Sequence, residues 1–159
     1  MLLTREMDYA LRIVRALHQE GQLSAAAIAG REHMPKAVTL KILKRLHAAG
    51  LLDSRRGSSG GYLLLRSCGE LYLLDVVRAL GEPLYVNRCQ QPGYQCENRT
   101  PDGCGLRREL SRIQQVLDAE LSRTPLSVIF REEAADMEEA RRCGGGSDFG
   151  KCKKSIEMP

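Results

Sequence analysis

The sequence predicts a mainly α-helical chain with one small β-hairpin, and three observations carry that prediction. Apolar residues recur at helical spacing through most of the first 50 positions and again beyond position 105. The glycine- and serine-rich run Gly57-Ser58-Ser59-Gly60-Gly61 stands between two short segments of strand character. Between the helical regions, residues 88–104 hold three cysteines among prolines, glycines and polar residues, with no apolar period.

The first helix is expected over residues 5–20, with Met7, Ala10, Leu11, Val14 and Leu17 on one face and Gly21 at its end. Asp8 falls in its first turn, where the helix dipole favours a carboxylate. Ser24 caps a short alanine-rich helix that ends near Glu32. After a break at His33-Met34, Pro35 is expected to open the third helix, which stops at Gly50. Val38, Ile42 and Leu46 share one face of that helix with Leu43 at its border; Ala37, Leu40, Lys41, Lys44 and His47 lie opposite. A short helix, a tight break and a lysine-bearing helix read as helix-turn-helix, with the last helix placed for the major groove.

Residues 51–56 and 62–66 then read as the two strands of a hairpin. Arg55 and Arg56 stand at the base of a tip with small side chains, a wing able to reach phosphates or the minor groove. A plain hairpin that closes the domain is the alternative. Residues 71–80 form a fourth helix before Gly81 and Pro83. Leu106, Leu110, Ile113 and Leu117 make a coiled-coil-like stripe, fit for a dimer interface, monomer core or both. Thr124-Pro125 opens a further helix bearing Leu126, Val128, Ile129 and Phe130.

This gives a winged helix-turn-helix domain over residues 1–83, a cysteine-rich sensor loop over 84–104 and dimerisation helices over 105–131. A charged tail over 132–159 is expected to be disordered.

Charge is divided along the chain. Residues 1–66 carry 11 basic and 5 acidic side chains, a balance of +6, whereas residues 67–159 carry 13 and 15, a balance of −2. A basic first half fits a module that binds double-stranded DNA. Lys36, Lys41, Lys44 and Arg45 are candidates to position phosphates, and Thr39 and Leu40 to meet base edges or a thymine methyl. Arg55, Arg56, Gly57, Ser58 and Ser59 are the candidate contacts of the wing. Apolar runs such as Leu63-Leu64-Leu65 are far too short to cross a bilayer, so no membrane partner is expected. The first residues lack the pattern of an export signal, which points to the cytoplasm. There, the six cysteines are expected to be ligands or redox sensors rather than disulfides.

Cys89, Cys96 and Cys104 are spaced C-x6-C-x7-C. A segment this poor in carbon cannot order itself by burial, and metal ligation would supply the missing free energy. Thiolates are soft ligands that suit an iron–sulfur cluster or zinc, and a metal-free thiol switch is also open. Cys68 reads as a small core residue, and Cys143 with Cys152 as a pair on the tail.

The residues Leu3-Thr4 with Asp8-Tyr9-Ala10-Leu11, Gly50-Leu51-Leu52, the wing run Gly57 to Leu64, and Leu73-Leu74-Asp75-Val76-Val77-Arg78-Ala79 precede the three-cysteine loop. With them the chain resembles the Rrf-two family of winged-helix bacterial regulators, the IscR, NsrR and RirA type, over roughly residues 1–130. The resemblance implies a homodimeric transcription regulator, a repressor, on palindromic operators. It implies sensing of iron, nitric oxide or redox state through a [2Fe–2S] or [4Fe–4S] cluster on Cys89, Cys96 and Cys104. It also implies Asp8 of the partner subunit as a further ligand, as in NsrR-like members. The chain departs from the pattern in three places. The cysteine spacing is longer than the usual C-x5-C-x5-C, Arg107 stands where IscR-like members have a histidine ligand, and Leu40 replaces a frequent glutamate.

Other classes are weaker. An enzyme is not expected, because the sequence holds no C-x-x-C pair, phosphate loop or nucleophile–base pattern. An adaptor would use the charged residues 132–142 as its contact.

Overall fold

A computed structural model of the chain describes residues 4–57, 60–81, 84–97 and 103–131. Helix α1 (Arg5–Glu20) starts where Thr4 Oγ1 accepts the Met7 amide at 3.4 Å, and ends at Gly21 with φ 78°. Its buried face is Met7, Ala10, Ile13, Val14, Ala16 and Leu17. Leu11, expected on that face, is half-buried, and Ile13 takes the central place.

Strand β1 (Gln22–Leu23) leads to α2 (Ala25–Arg31), capped by Ser24 Oγ on the Ala27 amide at 3.2 Å. The turn into α3 (Lys36–Ala48) passes through His33 in the left-handed region, φ 51°. Pro35 is not the first helical residue as expected; it is the N-cap, its carbonyl accepting the Thr39 amide at 3.0 Å. Buried Ile42, Leu43 and Leu46 of α3 meet α1 and α2 in one core with Ile28 and Met34.

Strands β2 (Leu52–Arg55) and β3 (Gly61–Leu64) form the predicted hairpin, with Leu52 opposite Leu64 and Arg55 opposite Gly61. The sheet has a third strand that the pattern did not reveal: β1 pairs antiparallel with β3, giving the order β1-β3-β2. Two residues are too few to show a period of two. Gly61 is required by that pairing, since a Cβ there would lie 2.6 Å from the Leu23 carbonyl oxygen.

Helix α4 (Leu73–Ala79) begins two residues later than the sequence suggests, because Asp75 reaches back to accept the Tyr72 amide at 3.0 Å. Leu71 instead lends its carbonyl to the Leu126 amide at 2.8 Å. A single 3-10 turn (Arg88–Gln90) precedes α5 (Gly105–Leu121). The chain then comes back: residues 126–131 are helical, and Leu126 and Phe130 are buried in the same core as α1. Residues 126–131, expected together with α5 over 105–131, thus pack into the core of α1 to α4 and the sheet, the head of the molecule, while α5, the arm, has no buried residue. Among the described residues no helix is long and apolar enough to cross a membrane. The tail over 132–159, with Cys143 and Cys152, lies outside the described residues.

Candidate nucleic-acid interface and cysteine loop

Helix α3 turns its inner face to the core and leaves Lys36, Lys41 and Lys44 exposed. Leu40 is half-buried. Thr39 departs from expectation: it is fully buried, its hydroxyl donating to the Pro35 carbonyl at 3.1 Å, so it offers nothing to a base edge. The reason is local, since Thr39 falls four residues after the N-cap carbonyl and a threonine hydroxyl readily bonds back one turn. Lys36 and Lys44 have no carboxylate partner among the described residues.

Lys41 and Arg45 are engaged. Glu6, in the first turn of α1, accepts Lys41 Nζ on Oε1 and Arg45 Nη1 on Oε2, both at 2.5 Å. The hydrogen bond from Lys41 is the main influence holding the Glu6 carboxyl below its usual range, against the opposing effect of burial. Sequence reasoning missed Glu6, because nothing local links it to residues 35 and 39 positions away.

In the wing, Arg55, Arg56 and Gly57 are exposed, and Ser58 and Ser59 lie outside the described residues. Gly57 has φ 116°, and its carbonyl accepts the Gly60 amide at 3.0 Å to close the tip. Ser54 Oγ lies 3.5 Å from His47 Nε2, joining the wing to the last turn of α3. Leu52 of β2 is buried in the same core as Ile42, Leu43 and Leu46 of α3, so cationic helix and cationic hairpin rest on one core.

The cysteine loop is fixed to α5 by two glutamines. Gln90, beside Cys89, accepts the Ser111 hydroxyl at 3.0 Å and donates to the Arg107 carbonyl at 3.3 Å. Gln114 donates to the Leu84 carbonyl at 2.9 Å and accepts the Val86 amide at 2.8 Å. A polar residue bordering the Leu110–Leu117 stripe was the available signal for Gln114. Cys89 and Cys96 are half-exposed, Cys104 is exposed, and Cys104 is the N-cap of α5. Within the single chain no three of the described His, Cys, Asp and Glu side chains are grouped to hold a metal ion. The donor types fit a soft metal, but the three thiols do not converge within one chain as the sequence led us to expect. The stretch 98–102, which joins Cys96 to Cys104, lies outside the described residues.

Asp8 is exposed and pairs with Arg12 at 3.1 Å. It lines an open cavity of about 410 Å³ with Leu11, Arg12, Arg15 and Phe130. Cys68 is buried, and burial pushes its thiol up to about 11.

Comparison with known proteins joins these features. The Rrf2 model, described as an iron-dependent transcriptional regulator, matches residues 3–132. The HTH-type transcriptional regulator IscR of Xenorhabdus nematophila is 37% identical over 93 residues. That match spans 57% of this chain and only 57% of the relative. CymR, described as the global cysteine regulator of B. subtilis, superposes with a TM-score of 0.63 at 25% identity, over 82% of this chain and 96% of its own. IscR of T. potens gives a TM-score of 0.62 at 22% identity over 90% and 93%, a likeness of fold. The basic helix, the arginine wing and a family match over most of the length agree, and the chain belongs to the Rrf2 family of transcriptional regulators.

Proposed function

We propose that this regulator is a homodimeric repressor that grips a palindromic operator through α3 and the wing, and that an iron–sulfur cluster on Cys89, Cys96 and Cys104 controls the grip. One observation carries the reading. Three thiols fall in the one stretch of chain that links α4 to α5, and Gln90 beside Cys89 is hydrogen-bonded to α5. When bound, a cluster supplies a redox- and ligand-sensitive centre whose ligands must be thiolate. The chain's own part is mechanical. Gln90 and Gln114 tie the loop and the residues before it to α5, so a displaced loop displaces α5. Asp8, exposed near the start of α1, is the candidate ligand from the partner subunit.

The test is protein made without air. Visible absorbance with matching iron and sulfide is expected, together with a shift of DNA upstream of its own gene that changes about tenfold on exposure to oxygen. Iron-free anaerobic protein that binds that DNA equally before and after air sinks the proposal.

A second reading is thiol oxidation without a cluster. The three thiols are accessible yet ungrouped in one chain, and the fold is shared with a cysteine regulator. Colourless protein whose DNA binding responds to peroxide selects this reading.

A further inference from the structure

Helix α3 carries four cations on or beside its outer face, and they are not equivalent. Lys36 and Lys44 stand without a carboxylate partner among the described residues, whereas Lys41 and Arg45, one turn apart, share Glu6. Each takes a separate oxygen of the same carboxylate. The Glu6 side chain is 26% exposed and that of Lys41 61%, so the anion sits inward and the ammonium outward. A phosphate that captures Lys41 must therefore compete with Glu6, and it approaches against the charge of Glu6 as well. An ammonium has three N–H donors, and one is used on Glu6. The others remain for an acceptor placed in the direction the pair dictates.

We propose that Glu6 sets sequence discrimination. It withholds Lys41 and Arg45 from indiscriminate phosphate binding and holds Lys41 in the orientation that meets a base-edge acceptor. The inference rests on the reading of α3 as the helix that enters the major groove. Glu6 is a positioning residue and need not touch DNA. On random DNA the cost of breaking the pair is not repaid by any fixed contact. On the correct sequence the pair stays closed and Lys41 adds a directed hydrogen bond, the kind of contact that carries specificity.

Fluorescence anisotropy of the full-length protein on two duplexes, one of random sequence and one taken from upstream of its own gene, tests this across a salt series. Glu6→Gln is expected to bind the random duplex roughly three- to tenfold tighter, with a salt slope steeper by about one to two per bound protomer, one for each cation released. Its affinity for the upstream duplex should change less, so the ratio of the two falls. Glu6→Asp keeps the charge and should restore the ratio in part. Lys41→Met is the complementary arm: little change on random DNA and a clear loss on the upstream duplex. A merely structural Glu6 predicts the opposite sign, weaker binding of Glu6→Gln to both duplexes, and that result overturns the inference, as does an unchanged salt slope. Wild-type protein that binds neither duplex overturns the DNA-binding reading itself, a different failure.

Discussion

Helices α1 and α5 have nearly the same length, 16 and 17 residues, and both are amphipathic, yet their surroundings are opposite. α1 buries six side chains, and α5 buries none. On α5, Leu106 is 65% exposed, Val116 53% and Ile113 39%, while α1 keeps Ile13 and Val14 wholly out of water. An apolar stripe is a demand for a partner surface. In α1 the chain meets it with α3, α4, the sheet and Phe130; in α5 the described residues leave it unmet. The difference teaches that similar apolar spacing is answered within the described chain in one helix and not in the other, and the homodimer proposed above would answer it in α5.

The most forceful way to probe that contrast is to truncate equivalent residues. Ile13→Ala leaves a cavity in a closed core and is expected to cost about 2–5 kcal/mol in denaturant unfolding. Ile113→Ala should cost the dilute, monomeric chain about 0.5 kcal/mol or less. Comparable losses in a dilute, monomeric sample would erase the distinction.

Next in size is assembly. Placing lysines at Leu106 and Val116 should convert a dimer to a monomer by sedimentation while leaving helicity and the head's unfolding transition in place. A mass that does not change removes α5 from the interface.

The cysteines sharpen the same comparison chemically. With iodoacetamide at mildly alkaline pH on native protein, Cys104, Cys89 and Cys96 are expected to react, while Cys68, with its thiol held near 11 by burial, waits for unfolding. Mass spectrometry of a time course decides it, and early modification of Cys68 would mean that the head opens far more readily than its packing implies.

The smallest effect is at Glu6. Its carboxyl is lowered by Lys41 and Arg45, so folding favours the ionised form. That stabilisation is fully present above the ordinary carboxyl value of 4.5, and is lost as pH falls through the lowered folded value. Glu6→Gln should therefore be less stable than the parent by under about 1 kcal/mol near neutrality, with the gap closing in acid. A gap that persists in acid assigns the effect to packing.

Most of the fold was legible because its signals are local. Ser24, Gly21 and Gly50 mark helix ends within a turn of where they act, and the wing's glycines announce the hairpin. Features set by distant partners were not. The pairing of β1 with β3 joins residues about 40 apart, and the return of Leu126 and Phe130 to the core looks in sequence like a continuation of the arm. Thr39 shows a third kind of failure: its small polar side chain suggested a DNA contact, but it is buried with its hydroxyl donating to the Pro35 carbonyl one turn earlier. Of the candidate site, Lys41 and Lys44 are exposed where the helical period puts them and Arg55 and Arg56 are exposed in the wing, whereas Glu6 and Gln114 act through long-range bonds that no window of sequence contains.

The return of the chain at Leu126 has one more consequence. The arm is moored to the head at both ends, through α4 before it and through Leu126 and Phe130 after it. A segment held on both sides has fewer conformations open to it than one held at a single end, so the ordering of α5 is shared with the core that anchors it.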